Sequence, residues 1–324
     1  MRKYVNSTGI PLSLSVFLAT DSYDHDDKVI SVTTLIKPIR QTILAARVPV
    51  EASLVDIAGL VYSRVGSAVH DAIENAWTNN YHDAMKSLGY PQKLIDRVII
   101  NPEEHELKDD SLPVYLEQRN YKKVQGKTVA GKFDIVIDGQ VEDFKNTSVF
   151  TYIMSTNTDD YILQGSMYRW LDPKKITKDT MAIHFIFRDW QAMRAKTEAN
   201  YPPSNTVVKT YKLMSVEETD MYVNNRISLL DKYWNAPENE IPRCTDKELW
   251  RKEPTWKYYK NPASKARSTK NFDNKQDAYL RLSQDGNVGE VIEVPGQVTA
   301  CKYCAAFPVC SQKDDLIASG SLIL

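Results

Sequence analysis

The chain of 324 residues has no apolar run of 18, so no membrane-spanning segment is expected. It also lacks a net charge of either sign, with 41 basic against 42 acidic residues. Bulk electrostatics therefore argues neither for nor against a nucleic-acid partner, and only local clustering can speak to one. No internal repeat is present. A phosphate-binding loop is missing too: Gly126-Lys127-Thr128 ends like one, but Tyr121 stands where the first glycine belongs, so no ATPase motor is encoded. Cysteine is scarce, and three of the four (Cys301, Cys304, Cys310, with Cys244 upstream) fall within ten residues. That clustering excludes a disulfide framework and points to a metal or cluster site. The start, Met1-Arg2-Lys3 followed by Ile10 to Ala19, faintly resembles a signal peptide. Pro11, Ser13 and Ser15 interrupt it and no cleavage pattern follows, so a cytoplasmic protein is expected.

What is present is a globular composition, 42% hydrophobic and 10% aromatic, enough for one large domain or one domain with an elaborated end. The alternation Leu12, Leu14, Val16 reads as a short strand. Residues 31 to 47 read as one capped helix with Pro38 in its first turn. Residues 54 to 88 read as a longer helical region with apolar positions Ile57, Leu60, Val61, Val65, Val69, Ile73 and Trp77. The period then changes. Pro113 to Arg119, Gly131 to Asp138 and Gln140 to Asn146 read as strands, the last two joined by an Asp138-Gly139 hairpin turn. A helix over Asp160 to Leu171, strands over Met181 to Arg188 and Thr206 to Met214, and a helix from Ser215 to Trp234 follow, the last opened by the capping pattern Ser215-Val-Glu-Glu218. The order implies an α/β core with a mainly antiparallel start. The expected division is an extension over 1–30, a core over 31–236, and a Pro-rich, basic, irregular region over 237–324.

The hairpin carries the chemistry. Asp134 lies in one strand and Asp143 in the next, and the tight turn can bring the two carboxylates together at a sheet end. Asp143 and Lys145, two apart, share a strand face, whereas Glu142 points to the other. Hydrolysing a phosphodiester requires charge neutralisation at the phosphate and a generated hydroxide; carboxylates holding Mg²⁺ or Mn²⁺ supply both, and a lysine beside them can orient the water. The neighbours Ile135, Val136 and Ile137 mark the Lys145 strand as central, where charges usually have a task.

Four short patterns occur in order: Gly66-Ser-Ala-Val-His70, Gly131-Lys-Phe-Asp134, Asp143-Phe-Lys145 and Gln164-Gly-Ser-Met-Tyr168. Over residues 30 to 190 this resembles the RecB-like branch of the PD-(D/E)xK nuclease superfamily. The resemblance implies a restriction-endonuclease-like core, a mixed central sheet flanked by helices, with a cysteine-rich C-terminal extension. It implies His70, Asp134, Asp143 and the backbone carbonyl of Phe144 as metal ligands, Lys145 at the attacking water, and Gln164 and Tyr168 bracing the site or the scissile strand. Glu74 and Glu117 are left as possible outer partners.

Cys301-Lys-Tyr-Cys304-Ala-Ala-Phe-Pro-Val-Cys310 can wrap one metal centre if a fourth ligand arrives; zinc and an iron–sulfur cluster both suit such thiolates. The RecB-like branch includes iron–sulfur nucleases, among them the CRISPR-adaptation exonuclease and the AddB-type nuclease, with this triplet and a fourth cysteine upstream in a Cys-Pro context. Here Lys37-Pro38 occupies that place, so Cys244 is inferred to complete a [4Fe–4S] cluster. From Arg243 to Arg281 there are 11 basic and 5 acidic residues, interleaved with aromatics. Lys257, Lys260, Lys265, Arg267, Trp256 and Tyr258 are accordingly candidate contacts for single-stranded DNA or duplex ends. The resemblance implies a stand-alone Mg²⁺/Mn²⁺-dependent exonuclease of recombination, repair or phage DNA metabolism, in a bacterial host's cytoplasm if phage-borne. It could work with a separate helicase or recombinase, or as a homo-oligomer. A non-catalytic DNA-binding or assembly protein on the same fold and a structure-specific endonuclease are the alternatives.

Overall fold

The structure, a computed structural model, describes residues 3–20, 28–49 and 54–324. Three elements depart from the sequence reading. Leu12–Ala19 is a helix (α1), not a strand. Pro11, at φ −57°, precedes it, and Ser15 Oγ donates back to the Ile10 carbonyl at 2.8 Å. So short an alternation does not separate a period of two from one of 3.6. Strand β1 (Val29–Ser31) runs into helix α2 (Val32–Ile36), and the chain restarts as α3 (Ile39–Ala45). The single helix expected over 31 to 47 is therefore broken at Lys37-Pro38, because proline pushes the residue before it out of the helical region. The helical region from 54 is likewise two helices, α4 (Val61–Asn79) and a shorter one over Tyr81–Ser87, parted at Asn80.

Strands β2 (Val98–Ile100), β3 (Leu112–Leu116), β4 (Arg119–Val124), β5 (Lys127–Lys132), β6 (Ile135–Ile137) and β7 (Gln140–Thr147) follow. After them come α5 (Val149–Met154), α6 (Thr158–Leu171), β8 (Thr180–Phe187), β9 (Thr206–Lys212) and α7 (Val216–Tyr233). Asp138 and Gly139 make the tight turn between β6 and β7 with φ of 48° and 74°, left-handed values that suit a two-residue hairpin. Ser215 and Glu218 cap α7 reciprocally, at 3.0 and 2.8 Å.

The chain divides into two compact units: residues 1–36 with 54–228, and residues 37–53 with 229–324. The first is a mixed α/β fold. Six strands in the order β9-β8-β7-β6-β3-β2 form one mixed sheet flanked by helices. β7 is parallel to β8 and antiparallel to β6, so the strand carrying Asp143 and Lys145 is central. A second sheet, β1-β5-β4, shares a hairpin with the first. Leu116 faces Ile135 in the larger sheet and Arg119 faces Lys132 in the smaller, so the register does not slip between them. Continued through the gap, it sets Glu117 opposite Asp134. The pairing of Ile135 with Glu142 sets Asp134 opposite Asp143 in the same way. Three carboxylates thus stand in a row where the hairpin bends from one sheet to the other.

Hydrogen bonds hold that bend. Glu117 N donates to the Asp134 carbonyl at 2.9 Å, and Asn101 Oδ1 accepts from Leu116 N (2.8 Å) and Gln118 Nε2 (3.0 Å). Glu117 has φ 49°, a region a residue with a Cβ enters at a cost, and such strain collects at functional sites. A Cβ on Gly131 would lie 2.7 Å from Leu171 Cδ1 and 2.8 Å from Val32 Cγ2. Helices α2 and α6 reach β5 only because that residue is glycine. Beneath the bend, Val98, Val114, Leu116 and Ile135 form a buried cluster covered by Trp77, Tyr81 and Met85.

The second unit is ordered where the sequence suggests irregular chain. Strands β10 (Thr255–Tyr259) and β11 (Lys270–Phe272), helix α8 (Lys275–Gln284), strand β12 (Glu290–Val294) and helix α9 (Ser311–Ala318) make it up, with sheet order β11-β10-β12. Helix α3 belongs here rather than to the core. Its Arg40, 4% exposed, donates to the carbonyls of Glu238 (3.2 Å) and Ile241 (3.1 Å) and pairs with the Glu238 carboxylate. Among the described residues no helix is long and apolar enough to cross a membrane.

Candidate active site and thiol cluster

The row of carboxylates opens into a cleft of about 630 Å³, lined among others by His70, Glu117, Asp134, Asp143, Phe144, Lys145, Gln164 and Tyr168. His70 reaches it from α4. Its Nδ1 lies 3.3 Å from Asp134 Oδ2, and its Nε2 lies 2.9 Å from the Phe144 carbonyl oxygen. Asp134 Oδ2 also accepts from Phe144 N at 3.0 Å. One point is therefore ringed by three of the groups expected to hold a cation, with an imidazole now hydrogen-bonding the other two. Asp134's hydrogen bond holds His70 above its usual pKa of 6.5, against the opposing pull of burial.

Asp143 is 1% exposed, on a central strand. Burial is the main reason its pKa rises to about 6, with Lys145 opposing and Asp134 adding to the rise. Lys145 Nζ sits 2.5 Å from Asp143 Oδ2. Burial pulls the lysine down, but Asp143 outweighs it, so Lys145 stays charged with a pKa above its ordinary value. Asp143 Oδ1 has no hydrogen-bond partner among the described residues. An unsatisfied buried carboxylate oxygen costs stability, and this one lies in the lining of the cleft. Glu142, as its alternation requires, faces away and meets His184 Nε2 at 2.6 Å. Gln164 Nε2 donates to the Tyr168 hydroxyl at 2.7 Å, one helical turn on, and Tyr168 packs edge-on against Phe133. That pair joins the cleft to the bend between β5 and β6 that carries Asp134.

Glu117 is the residue that sequence reasoning undervalued. It offers an oxygen that, with one ligand atom each of His70 and Asp134, lies in a group whose members are all within 4.8 Å of one another. Asp143 is not in that group. Glu117 also pairs with Lys132, and burial raises its pKa despite that lysine. No motif marks it. The available signal is its place directly across the ladder from Asp134, which requires knowing the register.

No family model matches the chain, and no curated protein does. Solved structures similar to it include the following two. The crystal structure of SSO0001 has a TM-score of 0.36 and 14% identity, over 67% of this chain and 81% of that one. A phage-related exonuclease from Haemophilus somnus 129PT has a TM-score of 0.28 and 12% identity, over 64% of this chain and 93% of that one. Both scores fall below one half, so the chemistry rests on the residues of the cleft.

In the second unit the four cysteines are free thiols. Burial raises the Cys244 pKa to about 12, and Cys304 and Cys310 are near enough to push it further. Burial likewise raises Cys301 and Cys304, and each also feels Cys310. Cys244, far from the triplet in sequence, is thus brought to it. Gln312 fastens it there, donating from Nε2 to the Cys244 carbonyl (2.9 Å) and accepting from Cys244 N (2.8 Å). Arg40 Nε donates to Cys310 Sγ at 3.3 Å, and the charge of Lys37 reaches Cys304. The Lys37-Pro38 segment therefore stands beside the thiols while contributing none of them.

The candidate DNA contacts of this unit separate into two kinds. Lys260, Lys265 and Arg267 are exposed, Lys265 paired with Glu290 at 2.8 Å, while Lys257 and Trp256 are half-buried. Tyr258 is corrected. It is 0% exposed, and its hydroxyl lies 2.9 Å from Asp285 Oδ2 and 2.8 Å from the Val288 carbonyl. Its ring lies in the small core of the unit, so it cannot stack on a base.

Proposed function

We propose that this protein is a metal-dependent DNA nuclease of the RecB-like kind, acting as an exonuclease, with a structural [4Fe–4S] cluster in its second unit. The observation that carries the reading is the row Glu117, Asp134, Asp143, closed by His70 on one side and by Lys145 on the other. An oxygen-rich donor set with one imidazole suits Mg²⁺ or Mn²⁺. His70, Glu117, Asp134, the Phe144 carbonyl and the unpartnered Asp143 Oδ1 are the groups that would hold it. A bound divalent ion supplies charge neutralisation at the phosphate and lowers the cost of generating hydroxide. Lys145, held charged by Asp143, orients the attacking water and stabilises charge developing on the phosphoryl oxygens. Gln164 and Tyr168 position the strand. The chain given carries no motor motif, so the enzyme would act on ends or single strands, or work with a separate helicase.

The cluster reading rests on spacing. Cys244 together with the C-x2-C-x5-C triplet suits a multi-iron cluster, with a zinc site as the alternative. The deciding assay uses anaerobically purified protein, its visible spectrum, and end-labelled linear against circular DNA with Mn²⁺. Digestion of linear DNA alone supports an exonuclease; a silent wild-type enzyme removes the nuclease reading.

Two results are expected on metal binding. Glu117→Gln should weaken Mn²⁺ affinity by about tenfold or more in calorimetry while leaving the fold intact. Unchanged affinity would limit Glu117 to its pairing with Lys132. Affinity should also fall with pH. His70, raised by Asp134, and Asp143, raised by burial to about 6, must both lose protons before they can act as ligands. Below pH 6 each bound proton weakens the apparent affinity by about tenfold per pH unit. Titrations in buffers of different ionisation enthalpy should record proton release on binding near neutral pH, and no release would sink this account.

A further inference from the structure

The cleft has a rim that hydrolysis itself does not require. Tyr62, in the first turn of α4, lines it and is 67% exposed. Steps of four along the helix lead from Tyr62 through Gly66 to His70, so the three lie close to one face, spanning about 12 Å. The guanidinium of Arg188 lies over the Tyr62 ring, 4.0 Å from its centroid. Arg188 N donates to the Thr147 carbonyl at 3.0 Å, which ties this arginine to the end of the strand that carries Asp143 and Lys145. A cation held on one face fixes the plane of the ring and leaves the rest of its exposed surface to the cleft. Between Tyr62 and His70 the wall is low. A Cβ on Gly66 would meet nothing within 4 Å, so no packing demands glycine there. Ser63 and Ser67 turn their hydroxyl hydrogens back onto the helix, to Leu60 O at 2.9 Å and Ser63 O at 3.2 Å. Arg64, Arg119 and Lys132 add positive charge to the same cleft.

We propose that Tyr62, held flat by Arg188, is the stacking platform for a base about one or two nucleotides from the phosphate at His70, with Gly66 leaving room for the strand between them. This rests on the nuclease reading and deepens it: the substrate is a single strand or a frayed end, not closed duplex. A paired base is already stacked on both sides and offers no face to a tyrosine until it is taken out of the helix. Stacking is also tolerant of sequence, since every base has a π-face.

The test is binding of a labelled oligonucleotide in Ca²⁺, read by fluorescence anisotropy, with one abasic nucleotide walked along the strand and a closed hairpin duplex for comparison. The intact protein should lose about tenfold in affinity at one abasic position and bind the hairpin more weakly. Tyr62→Ala should lose about tenfold on the intact strand and nothing further at that position, while Tyr62→Trp should retain affinity. Indifference of the wild-type protein to every abasic position, or an abasic penalty that persists undiminished in Tyr62→Ala, overturns the proposal. Mn²⁺-dependent cleavage by the same preparation is scored separately. Cleavage without an abasic effect discards the platform alone, and abasic-sensitive binding without cleavage discards the nuclease reading alone.

Discussion

Lys145→Ala should reduce DNA cleavage by about 10²- to 10⁴-fold with little change in oligonucleotide affinity, since a positioned proton-transfer or charge-stabilising group acts in the transition state. The effect follows from its surroundings. Lys145 faces Asp143 at 2.5 Å, and Asp143 is only 1% exposed. Removing it takes away the group at the water and leaves a buried carboxylate without its ion pair. That carboxylate then protonates more readily, and a protonated Asp143 cannot act as a ligand. Lys145→Arg should not rescue, because a planar guanidinium does not fit the position of a compact ammonium beside one carboxylate oxygen. Asp143→Asn should be as inactive by the complementary route, keeping the shape and losing the charge. Circular dichroism and thermal melting report whether each variant folds. Cleavage above about a tenth of wild type in a folded Lys145→Ala protein would remove the mechanism.

The second large effect is expected at Cys244. Cys244→Ser should abolish iron and sulfide incorporation, bleach the visible spectrum and open the second unit to proteolysis within 229–324, leaving 54–228 resistant. The apolar core beside the thiols is small. Leu249, Val298, Leu316 and Leu322 make up its buried part, with Cys244, Cys301 and Phe307 packed against it. On the cluster reading, the bound cluster would add to what that core supplies. Without an occupant, four sulfurs brought close together repel as thiolates and are costly to bury. Metal binding at such a site is folding free energy. A Cys244→Ser protein with a full iron complement would show that the fourth ligand lies elsewhere. A colourless wild-type protein carrying one zinc per chain would replace the cluster by a zinc site.

Much of the cleft was legible in order and spacing. Asp143 and Lys145 share a strand face because side chains alternate, and for the same reason Glu142 points away to His184. The Asp138-Gly139 turn is set by the left-handed conformations its residues tolerate. Gly66 and His70, and Gln164 and Tyr168, are four apart on helices and so face one way. These are local rules, and a chain obeys them wherever its elements end up.

What the sequence by itself determined, then, is which strand and which helix faces turn toward the cleft, and that three cysteines lie close together in the chain with a fourth upstream. Tertiary structure decided the rest. Glu117 has no motif; it joins the site because one register runs unbroken through a bent hairpin and sets it opposite Asp134. Residues 31 to 47 read as one helix in the sequence, and only the fold breaks it at Lys37-Pro38 and places α3 and Arg40 beside Cys310. Tyr258 reads as a surface aromatic in a basic stretch, and the fold buries it with its hydroxyl on Asp285 and the Val288 carbonyl. In each case the outcome depends on residues far away in the chain, through pairing register and burial, and neither is written in local sequence.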